Sequence, residues 1–178
     1  LGATKKHHPL NRGFQEFYGH LGGGHQYFPK ELTIKDSYAA ENESQSYRTW
    51  ILRNHEPVAP RKYLTTEFSD EAVSFIERNS AKPFFLFLSY NAPHAPLQAP
   101  GEYLKRFPHI EKKQRKIYAA MVSAVDDGVG RVLKTLREKE IEKDTIVVFL
   151  SVNGGPTTKN GSNNAPLRGG KGDAWEGG

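Results

Sequence analysis

Thr145-Ile146-Val147-Val148-Phe149-Leu150 runs directly into Ser151-Val152-Asn153-Gly154-Gly155-Pro156. An apolar run without alternation, bounded by polar residues, suits a strand covered on both faces, as in a parallel sheet. The glycine turn after it is where an α/β protein presents polar groups to a ligand, at the carboxyl edge of its sheet. Position 152 decides the chemistry of that turn. A carboxylate there would make it a metal corner, and the sequence offers valine.

A second run of the same kind lies upstream. Phe84-Phe85-Leu86-Phe87-Leu88 is apolar at every position and leads into Ser89-Tyr90-Asn91-Ala92-Pro93-His94-Ala95-Pro96-Leu97. Two prolines bracket His94 and stiffen its loop. A helix pattern precedes each run. Thr65 or Thr66 can cap a helix whose apolar face holds Phe68, Ala72, Phe75 and Ile76, and which ends near Asn79-Ser80. Ile117, Met121, Val125, Val129, Val132 and Leu136 recur every three or four residues and predict a long helix. Gly128 and Gly130 inside it cost about 1 kcal/mol each relative to alanine, so close packing is expected there. Asp126-Asp127 reads as the polar side of that helix. Helix, strand, helix, strand, with each strand ending in a polar loop, predicts a βαβ arrangement within a larger sheet.

Residues 1–62 read as loop-rich, with aromatics among turn residues around Phe17-Tyr18-Gly19-His20 and Gly22-Gly23-Gly24. Trp50–Arg53, Asn54-His55 and Glu56–Val58 predict a short hairpin. The pairs His7-His8 and His20 with His25 lack the spacing of one helix face and read as loop histidines. Asn11, Asn42 and Asn160 fall in glycine- or serine-containing loops, and Asn160-Gly161-Ser162 fits the glycosylation acceptor pattern.

Composition narrows the class. The 178 residues are one domain's worth, and a mean hydropathy of -0.66 allows only a modest core. The net charge of +5 comes from intermixed signs, and Lys112–Lys116 beside Glu111 reads as a solvated helix face rather than a nucleic-acid patch. The absence of cysteine excludes disulfides and thiolate metal sites. No apolar run approaches the length of about 18 residues that a membrane span needs. No signal peptide is evident, and Leu1 is not an initiator methionine, so a fragment is expected whose preceding segment would hold any targeting signal.

Several blocks together carry a family resemblance. They are Arg12-Gly13-Phe14 with Phe17-Tyr18-Gly19, Tyr63-Leu64-Thr65, Ala92–Leu97, Val125–Arg131, Ser151–Pro156, and Arg168–Gly172 with Trp175-Glu176-Gly177-Gly178. In this order the chain resembles the sulfatases of the arylsulfatase type, within the alkaline phosphatase-like superfamily. The resemblance implies an α/β fold: part of an alkaline phosphatase-like α/β/α sandwich with a mainly parallel sheet, residues 1–178 forming a single incomplete catalytic domain. In the family the amino-terminal part supplies paired aspartates, a Cys-x-Pro-Ser-Arg segment whose cysteine becomes formylglycine, and a Lys-x-His pair. Leu1-Gly2 looks like the residues just after that pair, which puts the nucleophile and two metal-binding carboxylates outside this sequence.

Sulfate ester hydrolysis needs a nucleophile at sulfur, charge stabilisation on the sulfuryl oxygens and protonation of the leaving oxygen. By motif, the resemblance gives His94 contact with the sulfate or protonation of the leaving group. It makes Lys171 a cation on the sulfate and has Asn153 offer its side-chain oxygen to calcium. It implies calcium-assisted hydrolysis of sulfated carbohydrate or aryl esters, in a periplasmic, secreted or lysosomal setting. Where the family has Asp-Asn-Gly, this chain has Val152-Asn153-Gly154, and Asp173 replaces a small or hydroxyl residue. The chain alone is therefore expected to be inactive. The alternatives are a non-catalytic fragment that binds an anion or sugar through the Gly22–Gly24 loop aromatics, His94 and Lys171, or a phosphate or phosphonate ester hydrolase of the same superfamily.

Overall fold

The computed structural model describes residues 4–31 and 49–178; Leu1-Gly2 and Asn42 lie outside them. Its frame is two packed helices, α1 (Leu64–Asn79) and α3 (Lys113–Glu138), with short helices α2 (Gly101–Leu104) and α4 (Thr157–Asn160) beside α3. α1 buries Leu64, Phe68, Ala72 and Ile76, a spacing of four residues that matches the predicted stripe except at half-buried Phe75. It begins two residues before the start that a cap at Thr65 would give. Neither Thr65 nor Thr66 caps it. Burial of Leu64 and Thr65 draws both into the first turn, and Glu67 accepts the Lys62 amide at 3.2 Å.

In α3 the buried line is Ala120, Met121, Ala124, Gly128, Thr135 and Leu136, while Val125, Val129 and Val132 are half-exposed. Small residues rather than valines form the seam, because backbones can approach closely only where side chains are short. An added Cβ at Gly128 would stand 2.3 Å from Ser69 Oγ and 2.5 Å from the Tyr90 hydroxyl. Gly130 has nothing within 4 Å, so the close packing expected at both glycines holds for one. Asp70 of α1 takes ion pairs from Arg131 of α3 and, at 2.6 Å, from Lys62. Asp127 forms a bidentate pair with Arg106 at 2.7 and 2.9 Å, which fits its reading as a polar helix-face residue.

The parallel sheet is not present among the described residues. The sheet found there is small and antiparallel: β1 (Tyr18–Gly19), β2 (Leu52–Arg53) and β3 (Glu56–Pro57), in that order. It contains the predicted hairpin, with Asn54 at φ 56° and its side chain accepting the Phe17 amide at 3.0 Å. Neither apolar run forms a strand. Along 84–88 burial alternates: Phe84, Leu86 and Leu88 are half-buried, whereas Phe85 is 74% and Phe87 58% exposed. Ile146 is 92% and Leu150 78% exposed. A strand exists only through its ladder, and no described segment lies beside these runs to supply backbone partners. Their composition fits two-sided cover, but one face of the first run and most of the second remain open.

The core gathers Tyr27, Ile51, Tyr63, Leu64, Phe68, Tyr103, Ala120, Met121 and Ala124. Leu88, Tyr90, Ala92 and Leu97 pack against it, which seats the loop that carries His94.

Candidate functional site

Tyr27 anchors the His94 loop. Its side chain is fully buried and stacked on Tyr63, with ring centroids 5.7 Å apart. Its hydroxyl donates to the carbonyls of Asn91 at 2.9 Å and His94 at 2.8 Å, while the His94 amide closes the turn onto the Asn91 carbonyl at 2.9 Å. The Tyr27 amide and the Tyr63 hydroxyl both reach Gln98, at 2.8 Å each, which ties the far end of the loop to the same core. His94 Nδ1 lies 2.8 Å from the Ala95 carbonyl. A carbonyl can only accept, so Nδ1 carries the proton and Nε2 is the nitrogen free to exchange one.

The other two candidates sit on glycine loops that meet backbone to backbone. The Lys171 amide reaches the Gly155 carbonyl at 3.3 Å, the Gly154 amide the Gly178 carbonyl at 3.1 Å, and the Gly177 amide the Arg168 carbonyl at 2.8 Å. A Cβ on Gly154 would lie 1.7 Å from the Gly177 oxygen, so the loops can approach this closely only without side chains. Lys171 is exposed and makes no ion pair among the described residues, which leaves its ammonium available to an anion. Arg168 is engaged: its guanidinium stacks 3.7 Å above the Trp175 ring and lies 3.6 Å from Glu176. Asp173 turns back to accept the Gly170 amide at 2.8 Å, a loop-closing role rather than a partner for Lys171.

Asn164, which the sequence reading passed over, lies at the junction. Its Oδ1 accepts the Gly155 amide at 3.0 Å, and its Nδ2 donates to the carbonyls of Gly155 and Gly169 at 3.0 Å and Gly177 at 3.2 Å. The available signal was an asparagine set between two glycine-rich segments. Asn153 is exposed and does not take the left-handed conformation that a turn-forming role would use; its carbonyl accepts the Ser151 hydroxyl at 2.8 Å. No hydrogen bond or ion pair joins His94 to either glycine loop among the described residues. The structure thus unites the Asn153 and Lys171 loops and holds His94 on a separate, core-anchored turn.

The donor set does not fit calcium. A hard cation takes 6 to 8 oxygens, and its affinity follows the charge they carry. Val152 is 93% exposed and offers none, Asp173 is committed to Gly170, and Asn153 brings one neutral oxygen. Among the described residues no group of three or more His, Cys, Asp or Glu could hold a metal ion. The histidine pairs do not change this. His20 and His25 stand 5.1 Å apart, and burial first, then His25, push the His20 pKa down to about 4. Burial of Tyr27 removes it as a sugar-stacking surface. Asn160 is buried, with its Oδ1 on the Ser162 amide at 2.9 Å, so the glycosylation pattern is occupied by a local turn.

The sulfatase family profile matches residues 2–178. The chain belongs to the sulfatase family. It is 33% identical to mouse (Mus musculus) arylsulfatase J over 177 residues, covering 96% of this chain and 28% of that protein. It is 34% identical to the N-acetylgalactosamine-6-sulfatase of Sus scrofa over 194 residues, covering 100% of this chain and 34% of that sulfatase. Among solved structures, Ps i-CgsB in complex with k-i-k-neocarrahexaose is 45% identical, with a TM-score of 0.89 over 100% of this chain and 40% of its own. The chain therefore has part of a sulfatase fold and spans 28% to 40% of the length of these sulfatase relatives.

Proposed function

We propose that this chain forms the sulfate-recognising side of a sulfatase catalytic domain that acts on sulfate esters of a carbohydrate. The observation that carries the reading is the junction of two glycine loops at which Lys171 is exposed and, among the described residues, makes no ion pair, in a chain matching sulfatases over residues 2–178. A compact ammonium suits the three oxygens of a sulfuryl group. His94, held through Nδ1, would present Nε2–H in its charged form to the ester oxygen as the sulfur–oxygen bond breaks. Formylglycine chemistry would supply the nucleophile in this family; the chain has no cysteine to provide it. No step here draws on calcium, because the donors do not fit. The neocarrahexaose bound by the 45% identical relative supports a sulfated galactan as the substrate class. A periplasmic, secreted or lysosomal site suits such a substrate, and no described helix is long and apolar enough to cross a membrane.

The test is titration of the chain with inorganic sulfate, a sulfated galactan oligosaccharide and its desulfated counterpart. Binding is expected to need the sulfate and to weaken about tenfold in Lys171→Ala, the loss of one charge-assisted contact. Equal affinity for the desulfated sugar, or an unchanged Lys171→Ala variant, overturns the reading. Tighter binding of phosphate monoesters would favour a phosphate or phosphonate ester hydrolase. The isolated chain is expected to release no sulfate from an aryl sulfate, and release above blank would contradict this. A second reading, a non-catalytic anion or carbohydrate binder, is favoured by Val152. It predicts that residues 2–178 grafted into a complete sulfatase frame bind sulfated sugar without turnover.

A further inference from the structure

We propose that Asn164 is a positioning residue that sets Lys171 against Asn153. This rests on the sulfate-site reading above. Asn164 has two amide hydrogens and one carbonyl oxygen, and all are in use. Nδ2 faces three carbonyls from three segments: Gly155 in the Asn153 loop, Gly169 in the Lys171 loop, and Gly177 near the end of the sequence. With two hydrogens for three acceptors, one bond is shared. Oδ1 accepts the Gly155 amide, so the same glycine is held at both its N–H and its carbonyl. Among the described residues no other side chain hydrogen-bonds to both loops.

The packing gives this contact its leverage. A Cβ on Gly154 would meet Asn164 Nδ2 at 3.0 Å, and one on Gly170 would meet it at 3.5 Å and the Gly155 oxygen at 2.9 Å. The carboxamide, together with the Gly177 and Gly155 oxygens, fills the space that side chains on these glycines would take. The direct backbone tie between the loops, Lys171 amide to Gly155 carbonyl, is long at 3.3 Å. Without Asn164 the loops would keep that tie and the backbone relay from Gly154 to Gly178 and from Gly177 to Arg168, but would lose the side chain that bonds both directly. Lys171 and Asn153 are both exposed, so their separation is set by loop registration and not by burial of their side chains.

The experiment is a double-mutant cycle on the full chain, with inorganic sulfate as the titrant. Asn164→Ser keeps one small polar group, and Asn164→Leu keeps the branching while removing every hydrogen bond. Each is expected to weaken sulfate binding about tenfold with Lys171 present and to have no further effect in Lys171→Ala. A role limited to holding the fold would lower the thermal midpoint alike in both backgrounds and leave the binding effects additive. Additive losses, or full sulfate affinity in both Asn164 variants, overturn the proposal. If Asn164→Leu does not fold, Asn164→Ser alone completes the cycle. Lys171→Ala separates the two ideas. Unchanged affinity there sinks the sulfate site and Asn164's role with it, whereas a loss there with none in Asn164→Ser sinks only the latter.

Discussion

Gly128→Ala is expected to destabilise the chain, although it should improve the helix it sits in. Replacing glycine by alanine inside a helix gains about 1 kcal/mol in propensity. The added methyl, however, lands 2.3 Å from Ser69 Oγ and 2.5 Å from the Tyr90 hydroxyl, far inside contact distance. Those hydroxyls are bonded to each other at 2.8 Å, and Ser69 Oγ also lies 2.8 Å from the Thr65 carbonyl. Turning Ser69 aside breaks both bonds, at about 0.5–1.5 kcal/mol each. Pushing the helices apart instead costs about 1–3 kcal/mol of overpacking. Either route costs about 1–3 kcal/mol against a gain of about 1, for a net loss of about 1 kcal/mol. At this chain length that lowers the melting midpoint by roughly 2–4 °C. Gly130→Ala meets nothing within 4 Å and is expected to raise it by about 2–4 °C. Circular dichroism at 222 nm with heating reads both. Combining Gly128→Ala with Ser69→Ala and Tyr90→Phe removes the two oxygens and is expected to recover most of the loss relative to the Ser69→Ala, Tyr90→Phe pair. A Gly128→Ala protein that melts at or above the parent, or no recovery in the triple variant, refutes the seam described for α1 and α3.

Tyr27→Phe removes the donor to the Asn91 and His94 carbonyls and should cost about 1–2 kcal/mol in urea unfolding, with faster amide exchange in residues 91–95; unchanged exchange would show that the hydroxyl does not hold the loop. His20 has a folded pKa of about 4, below its ordinary value near 6.5, so the unfolded chain binds its proton first on acidification. Its contribution is complete above about 6.5 and falls between there and about 4, by on the order of 3 kcal/mol. His20→Phe should flatten the melting profile across that window, and an unaltered slope would contradict the assignment. In a complete sulfatase frame carrying residues 2–178, Val152→Asp should raise calcium affinity because it adds a charged oxygen donor. An identical calcium titration would place position 152 away from the metal.

How much of this was legible varied with the range of the interaction. α1 and the body of α3 could be read because helical periodicity is local. The hairpin could be read because Asn54 favours a turn. Gly128 and Gly130 look alike in sequence, and only the arrival of Ser69 and Tyr90 at one of them makes them differ. The runs 84–88 and 145–150 carry the composition of buried strands, but pairing is a property of neighbours, which the described residues do not supply. Val152 showed directly, in the sequence, a position with no oxygen to offer a cation. Asn164 did not announce itself, because its importance depends on three distant glycine segments meeting around it.

The open apolar runs also bear on how the chain behaves in company. Phe84–Leu88 is entered through Lys82-Pro83 and left through Pro93 and Pro96, and Ile146–Leu150 is entered through Glu142-Lys143-Asp144 and left through Gly154-Gly155-Pro156. Charges and prolines at such borders act as gatekeepers: they carry like charge into any stacked copy or deny it a backbone donor. Upstream the fence stands within two residues, and downstream the first proline stands five or six residues on. Runaway pairing between copies is thereby restrained by the sequence itself, at the stage when a strand has not yet met its neighbours.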